Sequence, residues 1–308
     1  MNKLNCIFGP IPSRRLGRSL GVSPIPNKTC NYSCIYCQLG KTTHMTNSRK
    51  EFFPVEQIIK EFKEYIKNSD AFDIVTIVGE GEPTLYLKLK ELILEIKKLC
   101  DKPVAVITNG SLLTDKDVYN ALLNADIVLP SIDAYNEEIY KKIDRPYGYL
   151  NFTDELKALE RFSKEYKGKL WLEIMLVKGV NSSKKDIDNF LGLLKNIFYD
   201  IIYINTPVRP PAESYVEVAS DEEIDYAVKV LNGISIDKLT SGNFFSEIED
   251  NYQAILNIIK RHPMNQFEIE SFLTSRKEKD ILGIFKKLQE DNNVNHINYK
   301  GITTYRIK

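Results

Sequence analysis

Apolar residues recur along this chain in two alternating periods. Short β-branched runs, "RSLGVSPI", "FDIVTIV", "PVAVIT", "DIVLPSI", "KLWLEIMLV" and "DIIYINT", predict six strands. Between them, apolar residues three and four apart in "PVEQIIKEFKEYIK", "LYLKLKELILEIKKL", "LTDKDVYNALLN", "NFTDELKALERFSKEY" and "SKKDIDNFLGLLKNIF" predict amphipathic helices, the first opening at Pro54. Strands alternating with helices imply right-handed crossovers and a parallel sheet, either open or curved into a barrel. In such folds chemistry gathers at the carboxyl ends of the strands.

The loops bear this out in their composition. "GEGEPT" (79–84) follows the second predicted strand, "TNG" (108–110) the third, "SIDA" (131–134) ends the fourth, and "NTPVRPPAE" (205–213) follows the sixth. Gly, Pro, Asn and Asp are ordinary turn residues, so one such loop means little. Four at the same end of the sheet predict a site.

Composition narrows the class. The chain has 308 residues, 43% of them apolar, and 42 basic residues balanced by 42 acidic ones, which suits a globular protein with one main core and an appendage. Its apolar runs are strand-length and "MNKLNCIFGPIPSRR" lacks an apolar signal core, so we expect a cytoplasmic protein with no membrane partner. The charge is unevenly placed: residues 1–50 hold Lys3, Arg14, Arg15, Arg18, Lys28, Lys41, Arg49 and Lys50 and no Asp or Glu. A solvated basic loop would explain this; so would a positive potential that attracts an anionic ligand.

Within that segment "KTCNYSCIYCQLG" places Cys30, Cys34 and Cys37 together, and the chain has only two other cysteines, Cys6 and Cys100. Three crowded thiols do not make a disulfide framework. They suit an iron–sulfur cluster, of which a cubane form normally takes four thiolates, so one iron would stay open to a small molecule. A zinc site completed by His44 is the alternative, although no second pair of cysteines supports it. Cys100, ending an apolar-spaced helix, reads as a small buried hydrophobe, and packing is also the expectation for Cys6.

The cysteine spacing, Tyr36 just before the third cysteine, and the strand-end loops over about residues 8–210 resemble the radical S-adenosylmethionine (SAM) superfamily. That resemblance implies an α/β fold, a partial (βα)6 TIM-like barrel. It implies a [4Fe–4S] cluster on Cys30, Cys34 and Cys37, with SAM on the fourth iron. "GEGEP" resembles the family's glycine–glutamate motif, which implies SAM contacts around Gly81, Glu82 and Pro83, the glycine letting backbone approach the ligand; Glu80 stands where the commoner form has its first glycine. Tyr36, Asn109, Ser131 and Asp133 are implied at the same cofactor. An electron donor such as flavodoxin or ferredoxin is the implied partner. The longer stretch "GPIPSRRLGRSLGVSPIPNKTCNYSCIYCQLGKT" is similar to an Fe–S oxidoreductase family related to the tRNA wyosine synthases, but Cys6 and Cys100 cannot supply the second cluster those enzymes carry.

Arg209 lies among Pro207, Pro210 and Pro211, which stiffen the backbone around it. Its fork is a candidate clamp for a carboxylate or phosphate of the substrate or of SAM, the alternative being an ion pair with Glu213 or Glu173. Beyond it the pattern changes. We expect a barrel domain over 1–212, a helical linker over 213–250 and a unit over 251–308 that resembles a winged helix, with three helices and a two-stranded wing. Residues 251–308 hold ten Lys or Arg and six Asp or Glu, and Lys286, Lys287, Tyr299, Lys300, Tyr305 and Arg306 are its candidate nucleic-acid contacts. Two function classes follow: a radical SAM enzyme modifying an anionic substrate, tRNA among the candidates, or a metal-stabilised nucleic-acid-binding protein without catalysis. An enzyme that activates a glycyl-radical partner is a third reading.

Overall fold

A computed structural model describes residues 6–236, 242 and 244–308. Lys3 and part of the expected linker lie outside the described residues. In chain order the elements are β1 (Ile7–Ser13), β2 (Gly17–Val22), the short β3 (Thr29–Cys30) and β4 (His44–Met45), α1 (Val55–Asn68), β5 (Ile74–Ile77), α2 (Leu89–Leu99), β6 (Val104–Thr108), α3 (Lys116–Leu122), β7 (Ile127–Pro130), α4 (Glu137–Ile143), α5 (Phe152–Glu165), β8 (Lys169–Met175), α6 (Lys184–Leu194), β9 (Ile201–Asn205), α7 (Asp221–Leu231) and β10 (Ile234–Ser235). There follow α8 (Asn251–Ile259), β11 (Met264–Asn265), α9 (Gln266–Ser275), α10 (Ile281–Glu290), β12 (Val294–Tyr299) and β13 (Ile302–Ile307).

The six expected strands are β2, β5, β6, β7, β8 and β9, all parallel, with the helices as crossovers between them. This is a partial (βα)6 barrel. Two strands escape the sequence pattern. β1 contains Gly9, Pro10 and Pro12, breakers that only an edge strand tolerates, and it pairs antiparallel with β2 across a bulge. β10 is two residues long and extends the sheet beyond β9.

Alternation along the strands divides their side chains between two buried faces. Val75, Val104, Val106, Val128, Leu170 and Leu172 pack under the helices, while Ile74, Ala105, Ile127 and Leu129 fill the inner face with Leu16. Helix boundaries follow local chemistry. Asn136, Asn151, Ser183 and Ser220 cap α4, α5, α6 and α7 by accepting from the third residue of each helix, and Ser183 and Ser220 complete capping boxes.

Residues 251–308 form three helices and a three-stranded antiparallel sheet ordered β11-β13-β12, one short strand more than expected. This unit does not stand apart. Phe8 and Ile11 of β1 belong to its apolar core, together with Ile255, Ile258, Phe272 and Tyr305. On the other side Arg209, after β9, makes a two-pronged ion pair with Glu268 at 3.0 and 3.1 Å. The unit therefore bridges the first strand and the loop after β9 of an incomplete barrel.

That docking corrects the expected nucleic-acid face. Tyr305 is 2% exposed inside the shared core, the Tyr299 hydroxyl donates to the Pro207 carbonyl at 2.9 Å, and Arg306 donates to the carbonyls of Gln38 and Pro210 at 3.1 Å each. On a hairpin, side-chain alternation assigns residues to two faces, but only packing decides which face meets the barrel. Among the described residues no helix is long and apolar enough to cross a membrane.

The docking also explains Glu80. Its carboxylate, 2% exposed, pairs with Lys260 at 2.8 Å and Arg261 at 3.5 Å, just beyond α8. Removing one partner of a buried pair leaves the other desolvated. Glu80→Ala should lower the unfolding free energy by about 3–5 kcal/mol in urea titration, and an unchanged urea midpoint would show that this pair does not hold the two units together.

Candidate functional site

The cysteine loop leaves β2 and closes on itself where β3 pairs with β4, Thr29 opposite His44 and Cys30 opposite Met45. Backbone contacts then bind it to the loop after β5. Thr29 bridges Gly81, the Glu82 N–H donates to the Thr29 carbonyl at 3.1 Å, and the Lys28 N–H donates to the Glu80 carbonyl. A Cβ at position 81 would overlap the Thr29 carbonyl oxygen and crowd Ile25. The glycine is thus required by the cysteine loop itself, a reason that stands beside the ligand approach expected from sequence.

Glu82 is buried and fully engaged. One carboxylate oxygen accepts from Thr84 N–H, Thr84 hydroxyl and Thr108 hydroxyl, at 2.9, 2.6 and 2.6 Å, and the other accepts from Asn109 N–H at 2.7 Å. With these four donors Glu82 positions the β5 and β6 loops relative to each other. Pro83 opens a buried 3-10 turn just behind it.

Cys34 and Cys37 lie in consecutive turns, the Cys37 N–H donating to Cys34 carbonyl at 3.1 Å and the Gly40 N–H to Cys37 carbonyl at 3.0 Å. The Tyr32 N–H points at Cys30 Sγ, 3.4 Å away, and the Cys34 thiol donates to Asp144 Oδ1 at 3.5 Å. Burial pushes all three thiols up; Glu82 adds to the rise at Cys30 and Asp144 at Cys34, while Arg306 and Lys28 lower Cys37. Among the described residues no three His, Cys, Asp or Glu side chains gather closely enough to enclose a single metal ion. An iron–sulfur cluster asks for soft thiolate donors with N–H groups and positive charge near the sulfurs to stabilise the anionic assembly. The cysteine loop meets that description. His44, offered as a zinc ligand, is exposed and hydrogen-bonded to Thr43.

Beside the cysteines, Tyr36, Asn109, Ser131 and Asp133 line one pocket of about 50 Å3. The Tyr36 hydroxyl donates to Asp133 Oδ2, and Met175 N–H donates to Oδ1 at 2.7 Å. Burial raises Asp133 to about 6 in spite of these two bonds. Asn109 is held by Asn31 at 2.8 Å and accepts from the Ser111 hydroxyl at 2.7 Å. Ser131 has no side-chain partner among the described residues, so its hydroxyl is available in the pocket.

Sequence reasoning missed the groups behind this wall. Glu155 on α5 accepts from the hydroxyls of Tyr32 and Tyr140, and Asp144 ends α4 against Cys34. Asn31, between two cysteines, joins Asn47, Ser111 and Asn109. Nothing in a helix such as "NFTDELKALERF" marks one glutamate as buried, whereas the place of Asn31 inside the cysteine motif was a usable signal.

Arg209 lies elsewhere, on a second cavity. Its fork is taken by Glu268, the Pro263 carbonyl and His262 Nε2, so the expected pair with Glu213 or Glu173 is replaced by one with the C-terminal unit, and the ligand clamp falls with it. Sequence proximity had favoured Glu213, which instead binds Lys41 and Arg145. The basic segment is also less bare than its sequence. Arg15 pairs with Glu173, Arg18 with Asp73, Lys41 with Glu213 and Arg49 with Asp115, all acids from later in the chain. Cys6 is buried with its thiol raised to about 12 by burial and Glu61, as packing predicts.

Known proteins resemble this chain in sequence and in fold. The profile of the Radical SAM superfamily matches residues 25–191. A UPF0026 protein of Methanocaldococcus jannaschii is 36% identical over 97% of this chain and 94% of its own length. A "GTPase Obg" of Brachyspira hyodysenteriae is 36% identical over 99% of this chain, which spans only 45% of that protein. The solved structure of anSMEcpe with bound S-adenosylmethionine is similar in fold, with a TM-score of 0.52, 18% identity, and coverage of 70% of this chain and 59% of the other.

Two outcomes follow from the geometry. Gly81→Ala should displace the cysteine loop, so iron retained after anaerobic reconstitution should fall together with SAM binding; full iron content with only SAM binding lost would favour the ligand-approach explanation. Burial raises Glu155 from 4.5 to about 7. The folded chain then keeps a proton that the unfolded chain has lost, so stability is full below about pH 4.5 and falls as pH rises through about 7, by roughly 3 kcal/mol at most. Glu155→Gln should shrink the difference between urea midpoints at pH 5 and pH 8.

Proposed function

The chain belongs to the radical SAM superfamily and is an enzyme, and on that premise we propose that Cys30, Cys34 and Cys37 hold a [4Fe–4S] cluster with SAM completing the site. The observation that carries this reading is the cysteine loop itself. It presents three soft donors, an N–H aimed at Cys30 and the charges of Arg306 and Lys28 near Cys37, and it is fastened to the carboxyl ends of β2, β5 and β6. Held by Cys30, Cys34 and Cys37, the cluster would supply one electron, received from an outside donor, for reductive cleavage of SAM and hydrogen-atom abstraction from a substrate.

The remaining work belongs to the chain's own residues. Asp133 fixes the Tyr36 ring beside the cysteines, and Asn31 and Ser111 orient Asn109. The free Ser131 hydroxyl and the backbone after β5 are the groups we assign to the ribose and amino ends of SAM. The C-terminal unit covers the flank of the barrel and contributes His262 and Glu268 to the lining of its interior. A flavodoxin- or ferredoxin-like donor is the partner this chemistry needs. The division into 1–212, 213–250 and 251–308 is part of the same reading, with the last unit acting as a winged-helix-like plug. Membership of an enzyme superfamily displaces the non-catalytic alternative.

Substitution of the cysteines tests the assignment. Cys30→Ala, Cys34→Ala and Cys37→Ala should each abolish iron retention and reductive SAM cleavage, whereas Cys6→Ser and Cys100→Ser keep about four irons per chain. A full, SAM-cleaving cluster in any of the first three would falsify it.

A further inference from the structure

The inside of the barrel is a chamber of about 350 Å3. The turn between β1 and β2 enters it from the amino ends of the strands, Glu173 and Asn205 stand on its wall, and Cys37 lies on its boundary. His262 and Glu268 of the C-terminal unit line it on the flank that the six strands leave open.

The charges around this space nearly cancel. Arg15 meets Glu173, Arg209 meets Glu268, and Arg261 meets Glu80. Arg14 is the exception. It is half-buried on the chamber wall and has no ion-pair or hydrogen-bond partner among the described residues. Burial, with the charges of Arg209, Arg15 and, least, Arg14, keeps the His262 ring neutral, and it accepts from Arg209 at 2.8 Å. A half-desolvated guanidinium lacking a counter-charge is costly to keep unless an anion arrives to meet it.

We propose that this chamber is the substrate site and that it takes a free small molecule bearing a carboxylate or phosphate, bound through Arg14. The inference rests on the radical SAM reading above and adds the class of substrate. A volume of about 350 Å3 suits a metabolite and lies at the small end of ligand pockets. The docked C-terminal unit adds His262 and Glu268 to the chamber lining and turns Tyr305 and Arg306 inward, which favours a small molecule over a polymer such as RNA. Carboxylates and phosphates share the planar, two-pronged contact that a guanidinium offers, so separate probes distinguish them.

The test uses the full chain, reconstituted anaerobically, with inorganic phosphate and malonate as probes at fixed ionic strength. Titration calorimetry should show one of them binding, with Arg14→Gln weakening it about tenfold to a hundredfold and Arg14→Lys recovering part of the loss. The melting temperature should not change, because Arg14 has no ion-pair or hydrogen-bond partner among the described residues. Binding of neither probe to the wild type, or equal binding to Arg14→Gln, overturns the proposal. So does bulk tRNA that binds in an Arg14-dependent way without competition from phosphate. Iron content and SAM binding are measured on the same samples. If those fail while Arg14-dependent anion binding holds, the radical SAM reading falls and the anion site stands; if they succeed while anions ignore Arg14, only this inference falls.

Discussion

The Thr29 carbonyl occupies the space that a side chain at position 81 would need. Because residue 81 is glycine, two backbones meet there, and the cysteine loop is held against the end of the barrel instead of trailing from β2. Everything described at the site depends on that contact. It brings Cys30 beside Asn109, and it sets Glu82 where one carboxylate can gather donors from Thr84, Thr108 and Asn109. A buried carboxylate with four donors is rigid, since moving any donor leaves charge uncompensated.

A second constraint comes from the number of strands. Six parallel strands do not close a barrel, and the apolar flank they leave must be covered. β1 and the C-terminal unit cover it together, through a shared apolar core on one side and the Arg209–Glu268 pair on the other. Glu80 locks the arrangement from beneath, with Lys260 and Arg261. The same covering makes a chamber of the barrel interior, and Arg14 on its wall has no counter-charge among the described residues.

Behind the cysteines lies a cluster of acids and tyrosines, Asp133, Asp144 and Glu155 with Tyr32, Tyr36 and Tyr140. Burial raises all three carboxyls, and the charge of Asp133 raises Asp144 further. These hydrogen bonds fix the rings that wall the pocket, so the electrostatic strain at the site and its geometric order have the same source. Such groupings of perturbed acids concentrate where ligands bind.

The amino-acid pattern by itself determined the six parallel strands, their helices, the end of the sheet where polar loops collect, and the three-thiol motif with its neighbour Tyr36. These are local properties: hydrophobic period, turn residues and spacing lie within a few residues of one another and survive in the linear chain. The edge strand β1 was hidden because its prolines and glycine interrupt the strand pattern, and its burial comes from packing against the distant C-terminal unit. The partners of charged side chains were decided only by tertiary structure. Arg209 chose Glu268, 59 residues away, over Glu213 four residues away, and Glu80, read as a departure from a glycine motif, became the counter-ion of Lys260 and Arg261. An ion pair depends on distance in space and on which face of a hairpin or helix is turned inward, and neither is written in the spacing of residues along the chain.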